Sequence, residues 1–289
     1  MHRVRVAGRL GAFALLLGMQ WGCRTAFNYT DALGPRYAGA PAPALPAAVP
    51  GRRDTLHLVT FNIQFARHVD RAIELFRSVP ALEQADIVTL QEMDAPGTER
   101  IATALGMGFV YYPASVAPRT GRDFGNAILS RWPIVDDRKI ILPHLARFEK
   151  SQRIATAATV LIGSVPVRVY SVHLGTMVDV GPRRRRDQAR AILADAAPYP
   201  RVIVAGDMNN HGIGGEFRAG GYLWPTQHNP HTDRLWNWDH VFLRGLDPRD
   251  SLAAGVVRDN RGASDHRPVW AVVVLRAPAA IERTATSQP

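Results

Sequence analysis

The chain has 289 residues, of which 46% are hydrophobic, with a formal net charge of +10 and one cysteine. This apolar content excludes wholesale disorder and favours a folded globular body, and a single cysteine excludes an intramolecular disulfide. The positive charge favours polyanionic partners such as nucleic acid, anionic lipid head groups or phosphoesters. An arginine-rich composition without any such partner gives the same surplus, so charge alone does not choose a substrate.

The N-terminus has the pattern of a secretory signal. Three arginines among the first nine residues precede an apolar run over residues 10–19, which is too short to span a bilayer. Cys23 follows a glycine, as does the acylated cysteine of a bacterial lipoprotein signal. We therefore expect a signal peptide over residues 1–22, lipidation of Cys23 and an extracytoplasmic lipoprotein anchored to the membrane. A plain periplasmic or secreted protein is the alternative.

Composition also predicts the domain boundaries. Residues 23–54 are rich in Pro and Ala, which is typical of an extended tether. The folded domain is expected over residues 55–276, followed by a disordered tail over residues 277–289. No internal repeat is evident, and we expect a monomer.

Strands outnumber helices inside this domain. Strands are predicted at residues 56–63, 87–91, 108–112, 126–130, 155–162, 167–174, 202–205, 241–243 and 269–275, and helices at 68–78, 98–105 and 182–196. Because helices separate only some of the strands, the pattern favours mixed sheets with helices outside over a purely parallel sheet.

Polar residues follow several predicted strands at the point where each strand ends. Any one of them is most often a turn or helix-cap residue. Ligands nevertheless gather where strands open into loops, so the set together predicts a functional site. Its members are Asn62, Glu92, His173, Asp207 and Asn209, with Asp265 and His266 before the last strand.

These residue types suit hydrolysis of a phosphodiester. Glu92 and Asn62 offer the carboxylate and amide oxygens that Mg²⁺ or Mn²⁺ prefers. The sequence has no cysteine set or helically spaced histidine pair of the kind that binds zinc. Asp207 can orient or deprotonate a water, while Asn209 and His173 can donate to phosphate oxygens.

His266 is a candidate acid, base or phosphate-binding group. Neighbours on an extended segment point to opposite sides, so Asp265 does not orient the adjacent imidazole. Asp239 is therefore the predicted partner of His266.

Seven motifs in order resemble the endonuclease/exonuclease/phosphatase superfamily of deoxyribonuclease-like metal-dependent phosphoesterases, over residues 55–276. The motifs are Thr60-Phe61-Asn62-Ile63, Leu90-Gln91-Glu92, Gly125-Asn126-Ala127-Ile128-Leu129-Ser130, Ser171-Val172-His173-Leu174, Gly206-Asp207-Met208-Asn209, Trp238-Asp239-His240-Val241 and Ser264-Asp265-His266-Arg267-Pro268-Val269. The resemblance implies an α/β fold, a four-layer α/β sandwich in which two packed mixed β-sheets are flanked by helices.

The resemblance also implies roles for single residues. Mg²⁺ or Mn²⁺ would be held chiefly by Glu92, with Asn62 and Asp265 nearby. The implied catalytic residues are Asp207 to activate water, Asn209 and His173 to bind the scissile phosphate, and His266 paired with Asp239 to contact or protonate it. Asn126 would be a supporting residue on the substrate side. Gln64 departs from the acidic residue that some nuclease members carry there, which weakens the abasic-endonuclease interpretation.

Other features leave alternatives open. Arg153 is a candidate phosphate-binding residue. The run Arg183–Arg186 is interpreted as a solvated helix face, in preference to a contact with phosphate or lipid. The tryptophans Trp224, Trp236 and Trp238 are either a stacking platform or core residues, and the later histidines are read as loop residues rather than a second metal site. The predicted activity is that of a nuclease-like phosphodiesterase. The alternatives are a sphingomyelinase or phospholipase C-like enzyme, an inositol-phosphate phosphatase, and a catalytically silent binding module.

Overall fold

The strands of this chain form two mixed sheets. The computed structural model describes residues 25–40, 55–118, 120–250 and 253–275. The strands are β1 (Phe27–Asn28), β2 (Tyr37–Gly39), β3 (Thr55–Asn62), β4 (Ile87–Met93), β5 (Gly108–Val116), β6 (Asp123–Ser130), β7 (Ile134–Ile141), β8 (Ile154–Ile162), β9 (Val165–His173), β10 (Val202–Asp207), β11 (Asp239–Arg244), β12 (Asp247–Pro248), β13 (Ala254–Val256) and β14 (Val269–Val274). The helices are α1 (Val69–Ser78), α2 (Pro80–Glu83), α3 (Ala95–Leu105), α4 (Pro182–Ala196) and α5 (Gly214–Ala219), with a 3₁₀ turn at His211–Ile213.

The strand order brings the ends of distant strands together. The first sheet runs β1-β5-β6-β4-β3-β14-β12, with β2 also on β5 and β13 on β14, and the second runs β11-β10-β9-β8-β7. The pairs β3/β4 and β9/β10 are parallel, and each is joined through helices. Because the carboxyl ends of parallel neighbours open at one edge of a sheet, both pairs deliver polar residues to an edge.

Three apolar layers hold the sheets and helices together. Alternate residues of β3 face opposite sides, so Leu58 packs between the two sheets while Phe61 packs under α1 and α3. On the other side, Ile192 of α4 and Phe217 of α5 cover the second sheet. The result is the four-layer α/β sandwich of two mixed sheets, which confirms the predicted fold class. No helix in the described part of the chain is long and apolar enough to cross a membrane.

Several elements were not predicted from the sequence, and β7 and α5 are the longest of them. The strand β7 (Ile134–Ile141) was predicted as no element, because its alternation is hidden by Asp136 and Asp137 in an edge strand. The helix α5 (Gly214–Ala219) was also missed, because it opens on two glycines, which disfavour helix. The helix α4 begins and ends at the predicted residues.

The N-terminal segment is packed on the domain. Phe27 pairs with Val116 and Tyr37 pairs with Tyr111, so residues 25–40 add two short strands to β5. The tether prediction for residues 23–54 is therefore wrong for residues 25–40, because pairing satisfies main-chain groups of β5 that a tether would leave open. The other predicted parts, namely residues 1–22, Cys23, residues 41–54 and the tail at 277–289, lie outside the described residues.

Gly206 lets β10 approach β9 closely enough to carry Asp207 to the site. Its φ is +149°, and a Cβ there would lie 1.9 Å from the carbonyl oxygen of Val172. We expect Gly206→Ala to lower the free energy of unfolding by about 3 kcal/mol or more, since main chain and not a flexible side chain must move. Urea denaturation measures this. The control is Gly215→Ala in α5, where nothing lies within 4 Å of the added Cβ, and equal stability of the two variants would contradict the argument.

Candidate active site

A β-bulge turns Glu92 out of β4 towards the site. The register of β4 against β6 shifts between Leu90 and Met93, and Glu92 has a φ of +58°. The Glu92 carboxylate accepts from the main-chain nitrogen of Phe65 at 3.1 Å and from Asn62 Nδ2 at 3.2 Å. Burial raises the pKa of Glu92, opposed by nearby cationic side chains. The carboxylate is therefore held by two hydrogen bonds at a partly buried position that borders a cavity.

Asp207 lies at the centre of the polar cluster. It ends β10, directly beside His173 at the end of β9. Its Oδ2 lies 3.1 Å from Asn62 Nδ2, 3.5 Å from His173 Nε2 and 3.8 Å from His266 Nε2. Its Oδ1 accepts from the main-chain nitrogen of Asn209 at 2.8 Å. Burial raises the pKa of Asp207 to about 7, against the lowering effect of His266. A carboxyl that titrates near neutrality is suited to general base catalysis.

His266 is paired with Asp239. Its Nδ1 lies 2.8 Å from Asp239 Oδ2, and Asp239 is fully buried at the start of β11, opposite Asp207. Burial lowers the pKa of His266, but the carboxylates of Asp239 and Asp207 outweigh it, and the pKa lies well above its usual range. The imidazole is therefore held as a cation that points its Nε2 at Asp207.

Gln64 links Asn62 and Asp265, a role that the sequence did not indicate. Its Nε2 donates to Asp265 Oδ2 at 2.9 Å, and its main-chain nitrogen donates to Asn62 Oδ1 at 3.0 Å. Ser264 Oγ donates to the carbonyl of Asn62 at 2.6 Å and accepts from the main-chain nitrogen of His266 at 3.1 Å. Gln64 therefore joins the two segments, rather than leaving a gap where an acidic residue is missing.

Asn126 and Asn209 use their amide nitrogens within the protein. Asn126 Nδ2 donates to the carbonyls of Ile154 and Ser171 at 2.9 and 3.3 Å, which ties the two sheets together. The structure thus gives Asn126 a positioning role rather than a contact to substrate through this nitrogen. Asn209, at φ +50°, donates through Nδ2 to the carbonyl of Leu174 at 3.0 Å, which leaves one hydrogen on Nδ2 for a phosphate.

A family model decides the assignment. The model described as Endonuclease/Exonuclease/phosphatase family matches residues 59–266. The chain belongs to this family. Members of the endonuclease/exonuclease/phosphatase family are phosphoesterase hydrolases, and all the site residues named above lie within the matched range.

Solved structures share the fold at low identity. An endonuclease/exonuclease/phosphatase from Beutenbergia cavernae DSM 12333 has a TM-score of 0.62 and 22% identity, over 77% of this chain and 72% of that one. D. rerio TDP2 complexed with a single-strand DNA product has a TM-score of 0.60 and 17% identity, over 76% and 98%. The human Nocturnin catalytic domain with a bound sulfate anion has a TM-score of 0.61 and 18% identity, over 83% and 98%. No curated protein matches the chain.

Arg153 and Glu92 both line a cavity that opens at the site. Its Nη1 lies 3.1 Å from His173 Nδ1, its guanidinium lies 5.1 Å from the centre of the Phe124 ring, and its Nε is buried without a partner in the described residues. Burial, then Arg153, lowers the pKa of His173 well below its usual range, so the imidazole is neutral. The cavity measures about 340 Å³, and Phe65 and Phe124 are among its lining residues.

Two places in the site are candidates for binding a divalent metal. Ligand atoms of Asp207, Asp239 and His266 lie within 4.8 Å of one another, a cluster able to hold an ion. Asp239 and His266 are already paired with each other, so that cluster is also satisfied by hydrogen bonds. Glu92 offers carboxylate oxygens, which suit a hard cation, and a cation there would offset the cost of burying this carboxylate, whereas Asn62 turns its Nδ2 and not its Oδ1 towards Glu92.

The three tryptophans and His240 do not all lie at the site. Trp236 and Trp238 stack with 3° between their planes, and the Trp238 ring lies 6.4 Å from that of His266. Trp224 instead packs against His240 in the core, where burial lowers the pKa of His240 to about 3. The three tryptophans therefore divide between the two alternatives, because Trp224 packs in the core whereas Trp236 and Trp238 stack near His266, and His240 is a neutral core residue.

Asp239→Asn is expected to lower kcat about 10- to 100-fold, because an amide does not hold His266 as a cation in the right orientation. The melting temperature at neutral pH should also fall, because the variant breaks a buried ion pair and removes the charge that raises the pKa of His266 in the folded state. Steady-state kinetics and calorimetry measure the two effects. A large drop in melting temperature with kcat unchanged would mean that Asp239 is structural.

Proposed function

We propose that the chain is a divalent-metal-dependent phosphodiester hydrolase in which a water attacks phosphorus. The observation that carries the proposal is the position of Asp207. Its carboxyl, with a pKa of about 7, lies within 4 Å of Asn62, His173 and His266 side-chain nitrogens. One proton acceptor is thereby placed among the groups that recognise phosphate.

Glu92, with Asn62 and Asp265 beside it, would hold Mg²⁺ or Mn²⁺. When bound, the metal neutralises charge on the non-bridging phosphate oxygens. The fit rests on the Glu92 carboxylate, both of whose oxygens accept one hydrogen bond and keep a further lone pair.

The remaining residues divide the work of proton transfer and phosphate binding. Asp207 orients the attacking water and takes its proton. The free hydrogen on Asn209 Nδ2 and the neutral His173 contact the phosphate, with Arg153 behind His173 supplying positive charge. His266, kept protonated by Asp239, donates to the phosphate or to the leaving oxygen.

The proposed substrate is nucleic acid, so the activity would be that of a nuclease-like phosphodiesterase. The net charge of +10 and the TDP2 complex with single-strand DNA support it. A sphingomyelinase or phospholipase C-like activity is the second candidate, because Phe148 and Val178 leave apolar surface exposed at the cavity mouth. An inositol-phosphate phosphatase belongs in the same test. A silent binding module conflicts with the presence of Glu92, Asp207 and His266 together.

A substrate panel tests the proposal. The full chain is assayed on plasmid DNA, RNA, sphingomyelin, inositol phosphates and bis(4-nitrophenyl) phosphate, each with Mg²⁺, Mn²⁺, Ca²⁺ or EDTA. Metal-dependent turnover of a phosphodiester is expected, with DNA or RNA among the substrates. Failure on every substrate would contradict the enzyme assignment, and turnover of sphingomyelin alone would select the second candidate.

We also propose that the chain is an exported lipoprotein acylated on Cys23 and that it is a monomer. Cys23→Ala should move the protein from the membrane fraction to the soluble extracytoplasmic fraction. Unchanged partitioning of this variant would contradict lipidation. Light scattering of the purified protein measures its mass and tests the monomer.

A further inference from the structure

Two loops and the start of α4 form one exposed surface beside the cavity. Its members, which we call the arginine–apolar face, are Arg147, Phe148, Met177, Val178, Arg183 and Arg184. The exposed fractions of Phe148, Met177 and Val178 are 59%, 43% and 74%, which is high for apolar side chains. The loops are joined where the main-chain nitrogen of Arg147 donates to the carbonyl of Asp179 at 3.2 Å. Except for Phe148, these residues line one shallow concave surface together with the half-buried Asp179, so the exposed part of the surface is apolar and basic.

The positive charge on this face lies at the N-terminus of α4, where the helix dipole disfavours cations. Arg183 and Arg184 occupy the first turn of α4, where cations oppose the helix dipole, and both are exposed. No carboxylate in the described ranges forms an ion pair with either of them, whereas Arg186 lies 3.6 Å from Glu216. The helix N-terminus and the unpaired guanidinium groups all favour an anion at the same place.

The apolar members decide between the anionic partners. Single-stranded nucleic acid is bound through aromatic rings on which bases stack, whereas two of the three exposed apolar side chains of this face, Met177 and Val178, offer no ring and only Phe148 does. Arginines surrounding exposed aliphatic and aromatic side chains are instead typical of a surface that lies in the head-group region of an anionic bilayer. An anionic lipid surface is therefore the partner that this composition fits.

The chain also enters the folded domain at this face. The main-chain nitrogen of Ala26 donates to the carbonyl of Glu149 at 2.7 Å, and Asn28 Nδ2 donates to the carbonyl of Lys150 at 2.8 Å, directly after Phe148. Cys23 precedes Ala26 by three residues, so even a fully extended chain keeps it within about 10 Å of Ala26. A lipid on Cys23 would thus hold this face, and not the opposite one, against the membrane.

We propose that the arginine–apolar face docks on an anionic bilayer, with the arginines on lipid phosphates and Phe148, Met177 and Val178 among the head groups. Phe148 and Val178 also line the cavity over Glu92 and Arg153, so docking turns the mouth of this cavity towards the membrane surface, which is the geometry that the second candidate activity, on a lipid substrate, requires. The docking does not depend on catalysis, and its test reads binding alone.

The test compares two fluorophore positions in the full chain. Cys23→Ala removes the native thiol, and either Val178→Cys or Thr103→Cys supplies a single site for an environment-sensitive fluorophore. Thr103 is exposed on α3, in the helical layer over the other sheet. With vesicles of phosphatidylglycerol and phosphatidylcholine, the label at 178 should shift to the blue and be quenched by brominated lipid, while the label at 103 should not. Equal behaviour at the two positions would overturn the proposal. Because an inserted N-terminal apolar run would also bring position 178 close to the vesicle, a charge reversal on the face itself separates docking from anchoring.

A charge reversal tests the arginines. Arg183→Glu with Arg184→Glu should reduce partitioning onto the anionic vesicles at least about tenfold, because each arginine near the surface contributes about fivefold. Circular dichroism should show helix content held, since glutamates suit a helix N-terminus. Unchanged partitioning, equal binding to vesicles of phosphatidylcholine alone, or a loss confined to retention on single-stranded DNA would each contradict membrane docking.

Discussion

Asp207→Asn is expected to lower kcat/KM for phosphodiester hydrolysis by about 10²- to 10⁴-fold. The amide has the shape of the carboxylate, so its Oδ1 still accepts from the main-chain nitrogen of Asn209, now 2.8 Å away. What the variant loses is the capacity to take a proton from water at neutral pH. The amide loses the hydrogen bond that Oδ2 accepts from Asn62, but it also removes a buried carboxyl whose pKa is raised, so the two effects on stability oppose each other and the fold should be kept.

The measurement is steady-state hydrolysis at saturating metal, together with a thermal unfolding curve. Asp70→Asn is the matched control. It makes the same chemical change at a residue that is exposed on α1, far from the cluster. Turnover by Asp207→Asn near that of the control would contradict the role of Asp207 while leaving the family assignment intact.

Glu92→Gln should raise the metal concentration needed for half-maximal activity by about 100-fold or more. Substituting a residue that only hydrogen-bonds to a metal ligand already lowers metal affinity or activity about 10- to 100-fold. Glutamine keeps an oxygen to accept from the main-chain nitrogen of Phe65, now 3.1 Å from the carboxylate. It removes the negative charge that a divalent cation needs. Isothermal titration calorimetry with Mn²⁺ reads metal affinity without requiring turnover.

Glu99→Gln is the control for this substitution, because Glu99 is exposed on α3. If Glu92→Gln bound metal as tightly as this control, the metal would have to lie elsewhere. Asp207, Asp239 and His266 would then be the remaining candidate set in the described part of the chain.

The sequence predicted the scaffold of the site well, for a physical reason. The long strands are buried on both faces, so their apolar runs are continuous, and the helix α4 opens on a proline that suits its first turn. Parallel pairing then places Asp207 level with His173. Polar residues at the ends of such strands therefore converge without any further information.

The parts that were missed depend on contacts between distant segments. Gln64 bonds Asp265 across 201 positions of the chain, and no local pattern indicates such a bond. The left-handed φ of Glu92 arises from a bulge against β6, which strand periodicity does not reveal. The packing of residues 25–40 on β5 was hidden by a Pro- and Ala-containing composition that resembles a linker. Tertiary pairing overrode the local signal in each case.

Hydrolysis of bis(4-nitrophenyl) phosphate by the full chain is the decisive measurement for a metal-dependent phosphodiester hydrolase. We expect turnover with Mg²⁺ or Mn²⁺, loss of that turnover to the buffer rate on adding EDTA, and its return when excess metal is restored. Turnover that persists after complete chelation, or no turnover of this or any other phosphodiester with either metal, would contradict the proposed function.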